Sequence, residues 1–132
     1  MCGGTLTMKG MIHMTVKLFD SELRVMNVLW NYGDTTAKRI AELLGEEIGW
    51  NINTTYTVIK KCIAKGAIER REPNFLCRAV ITRRETQENE TAELINKLYE
   101  GAADKLVACL IDSKRLSSEE ISRLKAMVEE LE

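Results

Sequence analysis

Between Gly49 and Thr82 the chain reads G-W-N-I-N-T-T-Y-T-V-I-K-K-C-I-A-K-G-A-I-E-R-R-E-P-N-F-L-C-R-A-V-I-T, and this stretch holds the side chains best suited to meeting an anion. Lys60 and Lys61 supply ammonium groups. Arg70, Arg71 and Arg78 supply guanidinium groups, and Asn53, Thr54, Tyr56 and Thr57 supply amide and hydroxyl groups that donate or accept. No nucleophile here stands with a base and an orienting group, no glycine-rich phosphate loop occurs, and His13 is the sole histidine. The set fits a phosphate-lined groove instead: cations for the backbone, short polar side chains for base edges.

The elements that position these residues follow from spacing. Thr55, Val58, Ile59, Cys62 and Ile63 recur at i, i+3, i+4, i+7 and i+8, one apolar stripe of a helix. Asn53, Thr54, Thr57, Lys60, Lys61 and Ala64 then share the opposite face, with Tyr56 at its flank. Asn53 can cap the first turn, and Gly66 can take the left-handed conformation that ends the helix. Two short strand-like runs follow, 67–72 and 76–82, separated by the turn-forming Glu72-Pro73-Asn74-Phe75 with the only proline of the chain. A helix with a basic outer face followed at once by a hairpin carrying three arginines is the sequence form of a winged helix.

Upstream, Asp20 can cap a helix running to about Tyr32 and ended by Gly33, with Leu23, Met26, Val28, Leu29 and Trp30 on its buried side. A second helix begins after Thr35 and runs A-K-R-I-A-E-L-L to Gly45, with Ile40, Leu43 and Leu44 inward. The order helix, helix, helix, hairpin predicts that the third helix enters the major groove, while 45–52 reads as a connection longer than a minimal helix-turn-helix turn. Trp50 reads as a plug on the core rather than a base-stacking residue.

Charge supports this placement. The whole chain is nearly neutral, at −1, but residues 51–82 hold six basic and two acidic side chains, whereas 83–132 hold eight basic and twelve acidic. Cys2, Cys62, Cys77 and Cys109 are too far apart for a C-x-x-C unit, so buried structural thiols are the default expectation and a reducing, cytoplasmic compartment fits. No run approaches the roughly 20 apolar residues that span a bilayer. Residues 1–17, with four methionines in the first sixteen and Met14 as an alternative start, read as a flexible leader.

Beyond Thr82 the texture changes. Residues 83–90 are wholly polar, an exposed helix or linker at a domain boundary. Leu94, Ile95, Leu98 and Tyr99 then form one apolar stripe, Leu106, Val107, Leu110 and Ile111 a second, and Ile121, Leu124, Val128 and Leu131 a third. Ser117 with Glu120 makes a capping box, and Leu116 with Ile121 a hydrophobic staple, at the start of the last helix. Three short amphipathic helices bury their stripes better between two copies than within one, which predicts a homodimer. The fold class is thus mainly α with a small β-hairpin. A winged helix-turn-helix domain at 18–83 precedes a helical dimerisation region at 84–132.

Four segments in order, D-S-E-L-R-V-M-N-V-L-W (20–30), T-T-A-K-R-I-A-E-L-L (35–44), W-N-I-N-T-T-Y-T-V-I-K-K-C-I-A-K-G-A-I (50–68) and L-I-N-K-L-Y-E-G (94–101), resemble the penicillinase-repressor family of bacterial winged-helix regulators. The resemblance covers about residues 18–131. It implies a homodimeric transcriptional repressor whose winged helices each read half of a palindromic operator. The recognition helix would be 53–65, with Asn53, Thr54, Tyr56, Thr57 and Lys61 facing double-stranded DNA and Arg70, Arg71 and Arg78 in the wing. Family members induced by proteolysis are cut at an Asn-Phe bond before the I-N-K segment, where this chain has Glu93-Leu94. Copper-responsive members carry C-terminal cysteine pairs, whereas this chain ends K-A-M-V-E-E-L-E. The inducing signal, and any upstream sensor that delivers it, stays open. The reading calls for no cofactor, no resident metal and no membrane. Two alternatives stand beside it: a winged-helix module that binds protein, and a metal-responsive repressor using Cys77 or Cys109.

Overall fold

The computed structural model describes residues 16–131. The leader expected at 1–17, with Cys2, His13 and Met14, lies almost wholly outside the described residues. Helix α1 spans Asp20–Tyr32, strand β1 Thr35–Thr36, α2 Ala37–Ile48, α3 Ile52–Ala64, β2 Ile68–Arg71, β3 Leu76–Ala79, α4 Arg83–Leu98, α5 Ala103–Asp112 and α6 Ser118–Glu130. The chain divides into two compact units, up to Asn89 and from Glu90 onward.

In the first unit three helices and a three-stranded antiparallel sheet of order β1-β3-β2 enclose one core. Val25, Met26, Ala37, Ile40, Ile59, Cys62, Ala67 and Cys77 are completely buried, at 0% exposure. The hairpin register pairs Ile68 with Ala79 and Arg71 with Leu76, so the strands are shorter than the runs 67–72 and 76–82 suggest. Strand β1, which the sequence did not announce, pairs Thr35 with Cys77 and widens the hairpin into a sheet. The wing turn is tied to α2, because the Ala37 N–H donates to the Phe75 carbonyl at 2.9 Å.

Several local expectations need correcting. Asp20 is the first residue of α1 rather than its cap; Phe19 precedes it, and the Glu22 carboxylate reaches back to the Phe19 N–H at 2.7 Å. Gly45 does not end α2. The helix runs on to Ile48, and Gly49, at φ +76°, is the residue that turns the chain. The reason is conformational: of the two glycines only Gly49 takes a positive φ, whereas Gly45 keeps helical backbone and a side chain there would make only ordinary contact, 3.5 Å from the Trp50 carbonyl. The connection between α2 and α3 is therefore the short stretch 49–51, a compact helix-turn-helix turn, and not the long segment 45–52. Trp50 is half-buried against the core, as expected.

Helix α4, which begins in the first unit and ends in the second, is one continuous helix through 83–90 into the Leu94–Leu98 stripe. The polar segment is thus helix rather than linker. α6 starts as its sequence signalled. Ser117 Oγ accepts from the Glu120 N–H at 3.1 Å, and the Glu120 carboxylate accepts from the Ser117 N–H at 2.9 Å. These bonds hold the Glu120 carboxyl below the usual carboxylate range. No residue of α4, α5 or α6 is buried in the single chain. Among the described residues no helix is long and apolar enough to cross a membrane.

Candidate nucleic-acid interface

Helix α3 forms where its apolar stripe meets α1 and α2: Thr55, Val58, Ile59 and Cys62 are buried, and Ile63 is half-buried beside them. Its cap is Asn51 rather than Asn53. The Asn51 backbone is extended, and its side-chain oxygen accepts the Thr54 N–H at 2.7 Å, so the helix begins at Ile52, a residue before the expected 53. That shift leaves the Asn53 amide exposed and unspent. At the other end Gly66, at φ +83°, closes the helix as expected. Its N–H donates to the Ile63 carbonyl and the Ala67 N–H to the Cys62 carbonyl, so two otherwise orphaned carbonyls are satisfied before the wing begins.

The outer face carries Asn53, Thr54, Thr57, Lys60 and Lys61, all exposed. Neither lysine pairs with an acidic side chain among the described residues. A shallow cleft of about 440 Å³ runs along this face, lined by Asn51, Asn53, Thr54, Thr57, Lys61 and Ser21 of α1. Tyr56 differs from its neighbours. Its half-buried ring meets Phe75 edge-on, centroids 5.8 Å apart and planes at 81°, so it joins the outer face of α3 to the wing.

The wing arginines are exposed but not equivalent. Arg70 lies over the Phe75 ring, 3.6 Å from its centroid, and its Nε donates to Glu72 at 2.5 Å. Arg71 pairs with Glu69 at 3.5 Å, and Arg78 stands across the ladder from Glu69. Exposed ion pairs of this kind contribute at most about 1 kcal/mol, so phosphate can displace the carboxylates at small cost.

One group near the interface escaped the sequence reading. Glu22 is 1% exposed, and its Oε1 accepts from Lys65 Nζ at 2.6 Å; the same ammonium donates to the Lys17 carbonyl at 2.6 Å and sits 4.0 Å above the Phe19 ring centroid. This pair of a buried carboxylate and a partly exposed ammonium fastens the C-terminal end of α3 to the start of α1. The signal was present: Glu22, Val25, Met26 and Leu29 share the spacing of the buried stripe, which put a carboxylate where only a paired one is tolerated.

Thiol chemistry divides likewise. Burial, helped by the nearby Glu22 carboxylate, pushes the Cys62 thiol up to about 12, although Lys65 pulls the other way. Burial pushes Cys77 up to about 11 against the pull of Arg70. Cys109 departs from the expectation of buried thiols, being exposed on α5. It hydrogen-bonds the Tyr99 hydroxyl, whose pKa it raises. Among the described residues no group of three or more His, Cys, Asp and Glu side chains could hold a metal ion.

The expected dimerisation residues all lie in the second unit. Leu98, Val107, Ile111, Ile121 and Val128 are between 39% and 63% exposed, and Leu94, at 39%, belongs with them. Ile95, Tyr99, Leu106, Leu110 and Leu124 are half-buried. Val107, Ile111, Leu116, Ile121, Leu124 and Val128 line a groove of about 480 Å³.

A family model described as penicillinase repressor matches residues 18–130. The methicillin resistance regulatory protein MecI of Staphylococcus aureus is 27% identical over 87% of this chain and 95% of its own length. The penicillinase repressor of Bacillus licheniformis is 26% identical over 86% of this chain and 91% of its own. An uncharacterized 16.5 kDa protein of Latilactobacillus sakei is 28% identical over 89% of this chain and 82% of its own.

Proposed function

The chain belongs to the penicillinase repressor family, a family of transcriptional regulators rather than enzymes, and from that premise we propose that it is a repressor that occupies a palindromic operator as a homodimer. The observation that carries this reading is the division of α3. Its inner face is buried, and its outer face presents amide, hydroxyl and unpaired ammonium groups immediately before a hairpin with three arginines.

Lys60, Lys61, Arg70, Arg71 and Arg78 contact phosphates and supply register and much of the affinity. Asn53, Thr54, Tyr56 and Thr57 approach base edges. The outer face of α3 has no arginine or glutamine for bidentate pairing with guanine or adenine, so discrimination rests on Asn53, hydroxyls and duplex shape. Two copies joined through their C-terminal helices place their recognition helices in successive major grooves about 34 Å apart. Burying the apolar faces of α4, α5 and α6 supplies the driving force for that joining.

Fluorescence anisotropy with duplexes from the protein's own promoter region tests this directly. The expected result is tight binding to a palindromic fragment, with affinity falling steeply as salt rises. The Lys60→Ala, Lys61→Ala double variant should bind more weakly and lose about 2 from the salt slope per protomer, close to 0.9 for each lost phosphate contact. Equal affinity for promoter and unrelated duplexes would remove operator recognition. Complexes indifferent to salt would point to a protein partner instead.

A further inference from the structure

The start of α3 carries an isoleucine that the fold does not use. Ile52 is 65% exposed, more than any other large apolar side chain described in the first unit. The core beneath the helix closes without it through Thr55, Val58, Ile59 and Cys62. Its neighbours explain what it can meet. Asn51 is committed to the cap, Asn53 and Thr54 project outward, and Tyr56 lies one turn further along the same edge. Ile52 and Tyr56 also line a cleft of about 840 Å³ between α2 and α3, together with Lys38 and Glu42. At about 100° per residue, Tyr56 borders the polar face on one side and Thr54 on the other, with Asn53 and Thr57 between them; Ile52 lies about 40° beyond Tyr56, toward the apolar stripe, yet stays exposed because it stands in the first turn.

A branched apolar group at the first position of a groove-reading helix has one apolar partner on the base edges of a major groove, the C5-methyl group of thymine. The N-terminal residues of such a helix are the ones that reach base edges. We propose that Ile52 is a specificity-determining residue that selects thymine through its methyl group, a role that rests on α3 being the recognition helix. Selection by methyl contact suits a helix whose reading face offers no bidentate arginine or glutamine, and it places an apolar contact beside the hydrogen bonds of Asn53.

The test uses the full chain and a promoter duplex that it binds specifically. Each thymine is replaced singly by deoxyuridine, which removes only the methyl group, and binding is measured for the natural protein and for Ile52→Ala. One thymine in each half-site should cost the natural protein about fourfold when replaced, the effect of exposing one buried methyl group. The same replacement should cost Ile52→Ala nothing, and that variant should bind unmodified operator about sixteenfold more weakly, because both protomers lose the contact. Its thermal melt and salt slope should not move, because Ile52 is exposed and uncharged. If the natural protein binds the operator but every deoxyuridine penalty survives in Ile52→Ala, the assignment falls while α3 remains the recognition helix. If neither protein separates promoter from unrelated duplex, operator reading itself falls and takes this role with it.

Discussion

The two units of this protein are both rich in helix yet solve burial in opposite ways. In the first, α1, α2, α3 and the sheet enclose Met26, Ile40, Leu44 and Ile59 at 2% exposure or less. In the second, the end of α4 together with α5 and α6 leaves Leu98, Ile111 and Val128 more than half exposed and buries nothing completely. The first unit is a finished core with a polar working face. The second has the amphipathic pattern of a core without the other half. Under the proposed function, the first unit meets a charged groove and the second meets a copy of itself.

Substitutions that treat the units alike should separate them. Ile40→Ala, in a site with 0% exposure, should destabilise the first unit by about 2–5 kcal/mol in urea unfolding, whatever the protein concentration. Ile111→Asp, in a side chain 55% exposed, should leave the first unit folded, yet sedimentation should give the mass of a single chain and operator affinity should drop at least tenfold. A dimer that survived Ile111→Asp would break the comparison.

The buried ion pair probes whether the first unit is equally finished at its polar joints. Glu22→Gln keeps the shape but strips the charge that faces Lys65 Nζ at 2.6 Å. The expected cost is about 1–3 kcal/mol by denaturation, moderated because the lysine is partly exposed. Lys65→Met together with Glu22→Leu should recover part of it; no recovery would mean that Glu22 acts chiefly through its bond to the Phe19 N–H.

The smallest effect is chemical. At pH 7–8 an alkylating reagent should modify Cys109 within minutes while Cys62 and Cys77 stay protected, as peptide mapping would register. The pH sign follows from the same burial. Folded values of about 12 and about 11 lie above those of the unfolded thiols, so the associated stability is complete below the unfolded value and is lost as pH rises through the folded ones. Protection of Cys109 in concentrated protein, relieved by dilution, would extend the comparison by placing that thiol under the partner.

Much of the site was legible because periodicity carries it. A stripe at i, i+3, i+4 and i+7 fixes which side of α3 faces inward, and the outward row Asn53, Thr57, Lys60, Lys61 follows with no knowledge of contacts. The capping box Ser117–Glu120 and the left-handed Gly66 were equally readable, since both depend on residues within one turn. Boundaries that depend on distant atoms were not. Either Gly45 or Gly49 could turn the chain by residue type, and only the fold shows that Gly49 is the one with a positive φ. Whether Asn51 or Asn53 caps α3 is decided by where the compact turn delivers the backbone.

By itself, then, the sequence determined the helical faces, the polarity of the outer face of α3, the order of elements and the contrast between a basic middle and an acidic end, because these are local or additive properties. Only the tertiary structure decided the pairing of Glu22 with Lys65 across 43 positions, the ring contact between Tyr56 and Phe75, the addition of β1 to the hairpin, and the exposure of Ile52. Each of these depends on which surfaces meet once the helices are packed, and chain-distant contacts leave no periodic trace.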